Sequence, residues 1–371
     1  MQTCISFRPQ KRTTNSPNTL PLTDRRTPQR GNSGRRSLRW LPAIAILIAI
    51  FGYSVSAKPW DIHKKADDVK TPELHTVLWH DFGDAASLDI IDGAGGKDHA
   101  PNANGTFIFV KEDREGTNPK FEVKDSSGVE WKVKLGEEAQ AETAATRLIW
   151  AAGYFVDEDY YLPQIRVQGL PKLHRGRHFV SSGGIVRHAR LERKIHARKQ
   201  VGNWDWFDNP FSGSREFNGL RVLMSLINNW DLKTVNNSIF AVDGGQEYVV
   251  TDAGASFGKT GNSITRSKSN LKDYEKSKFI QKERAEDVDF TLHSRPFFLT
   301  VINLPNYRKR TRMENVTKRV PREDARWLGQ VLGRLSDEQV RDCFRAAGYT
   351  PDEIAGYSKA VSKRIAELKA L

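Results

Sequence analysis

Asn229-Trp-Asp231-Leu-Lys233-Thr-Val-Asn236-Asn-Ser-Ile-Phe240 is the stretch on which the reading of this chain turns. It follows an amphipathic helix marked by Phe217, Leu220, Met224 and Ile227. A short hairpin comes next, with Phe240, Tyr248, Val249 and Val250 around Asp243-Gly-Gly245. Thr251-Asp252-Ala-Gly254 follows, Asp252 standing sixteen positions beyond Asn236. These residue types suit phosphoryl transfer. The chemistry needs a carboxylate to orient the attacking hydroxyl and take its proton, and Asp231 supplies it. It needs a cation near the transferred phosphate, and Lys233 supplies that. It needs hard oxygen ligands for Mg²⁺ on two chain segments, and Asn236 and Asp252 supply those. Gly254 lets the chain turn sharply past the metal. Taken singly, D-x-K-x-x-N reads as a helix end with a solvated turn, and Asp-x-Gly as any turn. Their order along the chain is what gives them weight.

The second signal lies upstream, in Trp131-Lys-Val-Lys134-Leu-Gly136-Glu-Glu-Ala-Gln-Ala-Glu142. A lysine ends a strand and a helix carrying a glutamate follows. This order resembles the protein-kinase core, where a strand lysine on the α- and β-phosphates is held by a helix glutamate, and Lys134 with Glu142 is the expected pair. Lys132 points to the same strand face and is the rival lysine; Glu138, one turn earlier, is the rival acid. Glu115-Gly-Thr-Asn-Pro-Lys-Phe121 reads as a turn between two strands that sets Lys120 and backbone N–H groups over phosphate.

Val133-Lys-Leu-Gly-Glu-Glu-Ala-Gln-Ala-Glu142 resembles the Lys-x-Gly-acid-acid segment of phosphatidylinositol kinases and their relatives. Together with Asp231, Asn236 and Asp252 it resembles the atypical branch of the protein-kinase-like fold. That branch holds phosphoinositide kinases, HipA-type bacterial kinases and secretory-pathway kinases. The resemblance covers residues 100–260 and extends only loosely to the rest of the chain. It implies ATP and Mg²⁺ bound in a cleft between two lobes. Lys134, Glu142 and Lys120 would serve the nucleotide, Asn236 and Asp252 the metal, Asp231 and Lys233 the transfer. It does not carry an acceptor, since the branch includes kinases for lipids, proteins and sugars. The chain departs from common protein kinases at Asn229, Trp230 and Ala253, and has no G-x-G-x-x-G and no Ala-Pro-Glu segment. A non-catalytic pseudokinase or cell-envelope interaction module on the same fold is the alternative.

The rest of the sequence sets the frame. The chain has 371 residues and a net charge of +13. Nine Trp and 18 Phe are enough to build a core, so whole-chain disorder is excluded. Residues 1–57 hold nine Lys/Arg against one acid, Asp24; without them the net charge falls to about +5, which argues against a specific nucleic-acid partner. Leu41 to Val55 is a short apolar run behind Arg35, Arg36 and Arg39, and Val55-Ser56-Ala57 suits a signal-peptidase site. The expectation is a cleaved signal or an N-terminal anchor and an exported body; a mis-assigned start and a cytoplasmic protein is the other reading. Residues 58–75 read as a linker, 76–200 as a strand-rich lobe with one main helix, and 201–371 as a mainly helical lobe, an α+β chain. Lys172 to Lys199 carries nine Lys/Arg and four His. It reads as a solvated strand pair with a basic face, suited to an acidic substrate or a membrane surface.

Overall fold

The computed structural model describes residues 75–371 apart from 117, 260–265 and 293–303; the expected leader and most of the expected linker lie outside the described residues. Alternating side chains build the first half. A short strand, β1 (His75–Val77), precedes β2 (Thr106–Asp113), β3 (Lys120–Lys124) and β4 (Glu130–Leu135). Phe121 and Val123 of β3 and Trp131 and Val133 of β4 are buried at every second position, the period of a strand with one face on a core. Next come helix α1 (Glu137–Ala151) and strands β5 (Phe155–Val156), β6 (Asp159–Gln168), β7 (Val180–Ser181) and β8 (Ile185–Arg193). The sheet order is β4-β3-β2-β6-β8-β7, and β4 also pairs with β8. Five strands therefore close into a ring, which removes the open edges that an isolated sheet would expose. Phe107, Phe121, Trp131, Val167 and Leu191 fill its interior.

The second half begins at β9 (Lys199–Gly202) and α2 (Arg215–Leu226), the helix capped by Ser214 Oγ accepting from Phe217 N at 3.1 Å. The hairpin β10 (Asn237–Val242) and β11 (Gly245–Val250) forms where its Gly-Gly turn predicts. β1 and β5 both pair in parallel with β11, so the end of the first half is stitched to the second. Residues 259–320, polar and hard to parse as sequence, contribute α3 (Leu271–Lys276), strands β12 (Ile280–Glu283) and β13 (Asp287–Phe290), and α4 (Leu304–Asn315); β14 (Val320–Pro321) completes a three-stranded sheet. Three helices end the chain: α5 (Arg322–Leu332), α6 (Asp337–Ala346) and α7 (Pro351–Ala370). Ser336 with Gln339 and Thr350 with Glu353 each form a capping box, at the starts of α6 and α7. The architecture is α+β and two-lobed, a strand-rich half with one main helix followed by a mainly helical half. Among the described residues no helix is long and apolar enough to cross a membrane.

Helix α1 is the junction. Ala141, Ala144, Ala145, Leu148 and Ile149 are all fully buried, and they belong to the core of the helical half rather than to the ring of strands. Such small residues let α6 pack close. Gln140 Nε2 donates to Gly348 O at 3.0 Å, just beyond α6. Gly348 has φ +70, and a Cβ there would collide with the ring of Tyr161. Gly348→Ala is expected to destabilise by about 2 kcal/mol or more, from the left-handed backbone and overpacking together. The check is a lower urea midpoint at unchanged m-value.

Lys172 to Lys199 differs from its reading. Within this segment only the two-residue β7 pairs with β8, and part of the basic face is consumed by partners from elsewhere in the chain. Arg190 is fully buried. Lys194 pairs with Glu122 at 3.0 Å, and Arg198 with Glu247 at 3.0 Å. Arg175 donates to the carbonyls of Arg114 and Gly116, so it braces the β2–β3 turn. The sequence could not show this, because the acceptors come from distant strands and from backbone.

Candidate active site

A cleft of about 990 Å³ opens between the lobes, a size suited to a nucleotide. Lys134 ends β4 and is buried, its side chain pointing to the α1 face. Its Nζ lies 2.6 Å from Glu142 Oε2 and 3.4 Å from Asp252 Oδ1. Burial opposes its charge, but the Glu142 and Asp252 carboxylates outweigh that and hold the ammonium above the usual lysine value. Of the two rival pairs the structure brings Lys134 to Glu142; Lys132 instead pairs with Glu192 at 3.6 Å. Glu138 is not idle. It lies 3.9 Å from Lys134, accepts from Asn118 Nδ2 in the β2–β3 turn, and pairs with Lys268.

The stem of the Asp231 loop is tied to the segment after Asp252. Phe257 N donates to Ile227 O at 2.8 Å, and Asn228 Nδ2 donates to Gly258 O. Phe257 holds φ +54, costly for a bulky side chain, and its ring packs among Tyr274, Phe344 and Tyr357. Within the loop, Asp231 N donates to Asn229 Oδ1 at 3.1 Å, and Asn236 Nδ2 donates to Asp231 O at 2.6 Å. Lys233 Nζ sits 2.6 Å from Asp231 Oδ2. The N–H groups of Thr251 and Asp252 both donate to Asn236 O, at 3.1 and 3.2 Å, so Asn236 and Asp252 are held side by side through the backbone.

These residues fit a divalent metal. With Nδ2 committed to the loop, Asn236 keeps its Oδ1 available. Asp252 Oδ1 takes Gly254 N at 3.2 Å and Lys134, while among the described residues nothing donates to Oδ2. Burial opposes the charge on Asp252, and Lys134, the Gly254 N–H and Arg190 overcome it and lower its pKa. Two hard oxygens suit Mg²⁺, which completes its shell with water and phosphate. Among the described residues no group of three His, Cys, Asp or Glu could hold a metal by protein ligands alone. Gly254 is needed for close approach: a Cβ would stand 3.2 Å from Glu142 Oε2 and 3.3 Å from Glu138. Gly254→Ala is expected to press on the Lys134–Glu142 pair and cost about 1–3 kcal/mol of stability by overpacking, read as a lower urea midpoint.

Lys120 lines the same cleft, its Nζ 2.9 Å from Asp113 Oδ2. So Lys134, Glu142, Asp231, Lys233, Asn236, Asp252 and Lys120 share one region, all but Glu142 on the cleft wall and Glu142 behind it. Sequence reading missed Lys268 and Arg266. Both lie over the Trp230 ring, at 5.5 and 5.2 Å from its centroid, and both line the cleft. Burial, then the nearby charge of Lys134, push Lys268 down to about 8. They come from the stretch with no legible pattern, and only the preceding Trp230 hinted at a cation site. Sequence reading also missed Arg190, whose Nη2 is 3.5 Å from Glu142 Oε1 and whose Nε is 2.6 Å from Asp159 Oδ2. It holds the far side of the glutamate.

No protein-family model matches the chain, and no curated protein matches it. Among solved structures it is similar to the Helicobacter pylori proinflammatory kinase CtkA, at 10% identity over 71% of this chain and 93% of that one, with a TM-score of 0.40. It is also similar to the Golgi casein kinase with Mn/ADP bound, at 11% identity over 72% and 73% of the two chains, with a TM-score of 0.34. At this distance the likeness decides nothing about chemistry.

Proposed function

We propose that the protein binds ATP with Mg²⁺ in the interlobe cleft and transfers the γ-phosphoryl group to a hydroxyl acceptor. One observation carries the reading: a buried lysine joins a helix carboxylate to Asp252, and Asp252 is locked by backbone hydrogen bonds to the loop that bears Asp231. Lys134 binds phosphate oxygens and is kept in place by Glu142. Asn236 and Asp252 hold the metal, which when bound would neutralise charge on the phosphates. Asp231 orients the acceptor hydroxyl and receives its proton. The acceptor oxygen bonds to the γ-phosphorus, the bond from that phosphorus to the bridging oxygen breaks, and ADP leaves with the electron pair. Lys233 and Lys268 add positive charge where the transferred group passes.

The test has two readouts on the full chain. Calorimetric titration with ATP should show binding that strengthens with Mg²⁺. Incubation with γ-labelled ATP and mixed hydroxyl acceptors should move label in an Asp231-dependent way. Titratable binding with no label transfer to any acceptor, or to the chain itself, would favour the non-catalytic module; no binding at millimolar ATP would end the nucleotide reading.

A further inference from the structure

Following β4 from Lys134 back to Lys132 leads to a second part of the cleft, on the side away from α1. Glu192 pairs across the ladder with Lys132, and Asp159 with Glu192. Two residues before Asp159, Asp157 lies in the link between β5 and β6, just past the Val156–Val250 pairing that joins the lobes. Lys132, Asp157, Glu192, Gln200, Phe240 and Thr251 all line this part. Phe240 offers a ring, with the Arg198 guanidinium 4.2 Å from its centroid. The polar groups here are mutually satisfied, with one exception. Gln200 Nε2 donates to Ser238 Oγ at 3.1 Å, and Ser238 lies 3.5 Å from Thr251 Oγ1. Glu192 takes Arg190 at 2.9 Å and Lys132 at 3.6 Å. Among the described residues Asp157 has no hydrogen-bond or ion-pair partner, although it faces Glu192 and lines the cleft.

We infer that Asp157 reads the nucleobase, its carboxyl group lying against the amidine edge of adenine, donating to a ring nitrogen and accepting from the exocyclic amine. This rests on the nucleotide reading above. The phosphate end is fixed by Lys134 and Asp252, and the next part of the cleft along β4 is where the base of a nucleotide held there would fall. A neutral carboxyl is the one side chain of this wall that is both donor and acceptor and is not already engaged. Four charged groups face it: Glu192 and Arg190 on β8, Lys132 on β4, and Arg198 before β9. Burial first, then the Glu192 carboxylate, push Asp157 up to about 8, against the pull of the three cations. Glu192 itself stays ionised, since Lys132 and Arg190 outweigh its burial, and as a pure acceptor it favours an amine over a carbonyl beside it. The base is thus selected by side chains rather than by shape alone.

The experiment compares Mg-ATP, Mg-GTP and Mg-tripolyphosphate by calorimetric titration on wild type, Asp157→Ala and Asp157→Asn, at pH 7 and pH 9. At pH 7, ATP should bind wild type about tenfold or more tighter than GTP or tripolyphosphate, the scale of one or two buried hydrogen bonds. Asp157→Ala should lose about tenfold in ATP affinity and nothing for tripolyphosphate. The amide of Asp157→Asn, also donor and acceptor, should keep ATP affinity within about threefold. Between pH 7 and 9 the wild-type preference for ATP over tripolyphosphate should shrink as Asp157 ionises, while that of Asp157→Asn stays constant. Taking the ratio cancels the loss of Lys268 charge, which weakens both ligands alike. An unchanged ATP preference in Asp157→Ala, a pH-independent wild-type ratio, or GTP binding as tight as ATP would overturn the assignment and leave nucleotide binding standing. Failure of wild type to bind any of the three would overturn both.

Discussion

Asp231→Ala should lower phosphoryl transfer by about a thousandfold while leaving Mg-ATP affinity within about twofold, because general-base catalysis supplies 10²–10⁴ and the carboxylate holds no nucleotide atom. The loop should survive the change. Its shape is set by backbone and amide contacts, Asp231 N to Asn229 Oδ1 and Asn236 Nδ2 to Asp231 O, and neither uses the carboxylate. Among the described residues the side-chain partner lost is Lys233, at 2.6 Å in a half-exposed pair worth little to stability. Single-turnover label transfer measured beside calorimetric affinity separates the two effects. Undiminished turnover would move the base elsewhere. A parallel loss of ATP affinity would mean that Asp231 serves the metal.

The second large effect is on stability. Arg190 is fully buried, and its guanidinium meets Asp159, Glu192 and Glu142 at 2.6, 2.9 and 3.5 Å. Asp159 also takes Arg147 at 2.9 Å and Thr146 Oγ1 at 2.9 Å. Arg190→Met keeps much of the volume and removes the charge, so three carboxylates lose a partner at once. Breaking a buried pair from one side costs about 3–5 kcal/mol, because the remaining charge stays desolvated. For a chain of this size the melting temperature should fall by on the order of 10 °C. Nucleotide affinity should fall as well, since Glu142 is then free to swing from Lys134. A variant with unchanged melting temperature would show that water, not Arg190, satisfies this cluster.

Some of this was legible from residues. The amphipathic helix α2 and the β10–β11 hairpin depend on groups within a few positions of each other, and both appear where their patterns lie. Lys134 and Glu142 were legible for the same reason, since a strand end and the second turn of the next helix are linked by short, regular geometry. The choice between Lys134 and Lys132 was not, because period two places both on one face and only Glu192, from β8, draws Lys132 away. Residues 259–320 escaped reading because β12, β13 and β14 are short and β14 pairs with β13 across a long gap of sequence, so no periodicity accumulates. Much of the basic run from Lys172 is solvated as read, but Arg190, Lys194 and Arg198 are not, because their acceptors lie on other strands.

What the residues determined by themselves was local: which segments become helices and strands, where each begins and ends, and which side chains have the chemistry for phosphate, metal and proton. That follows from backbone sterics and capping, which act over a turn or two. What the packed structure decided was company. It closed five strands into a ring, laid α6 against α1, set Arg190 behind Glu142, and brought Lys268 and Asp157 to one cleft from segments far apart in the chain. Those outcomes depend on burying apolar faces that no single segment can cover, and on desolvated charges that are tolerable only beside a partner supplied by a distant part of the chain.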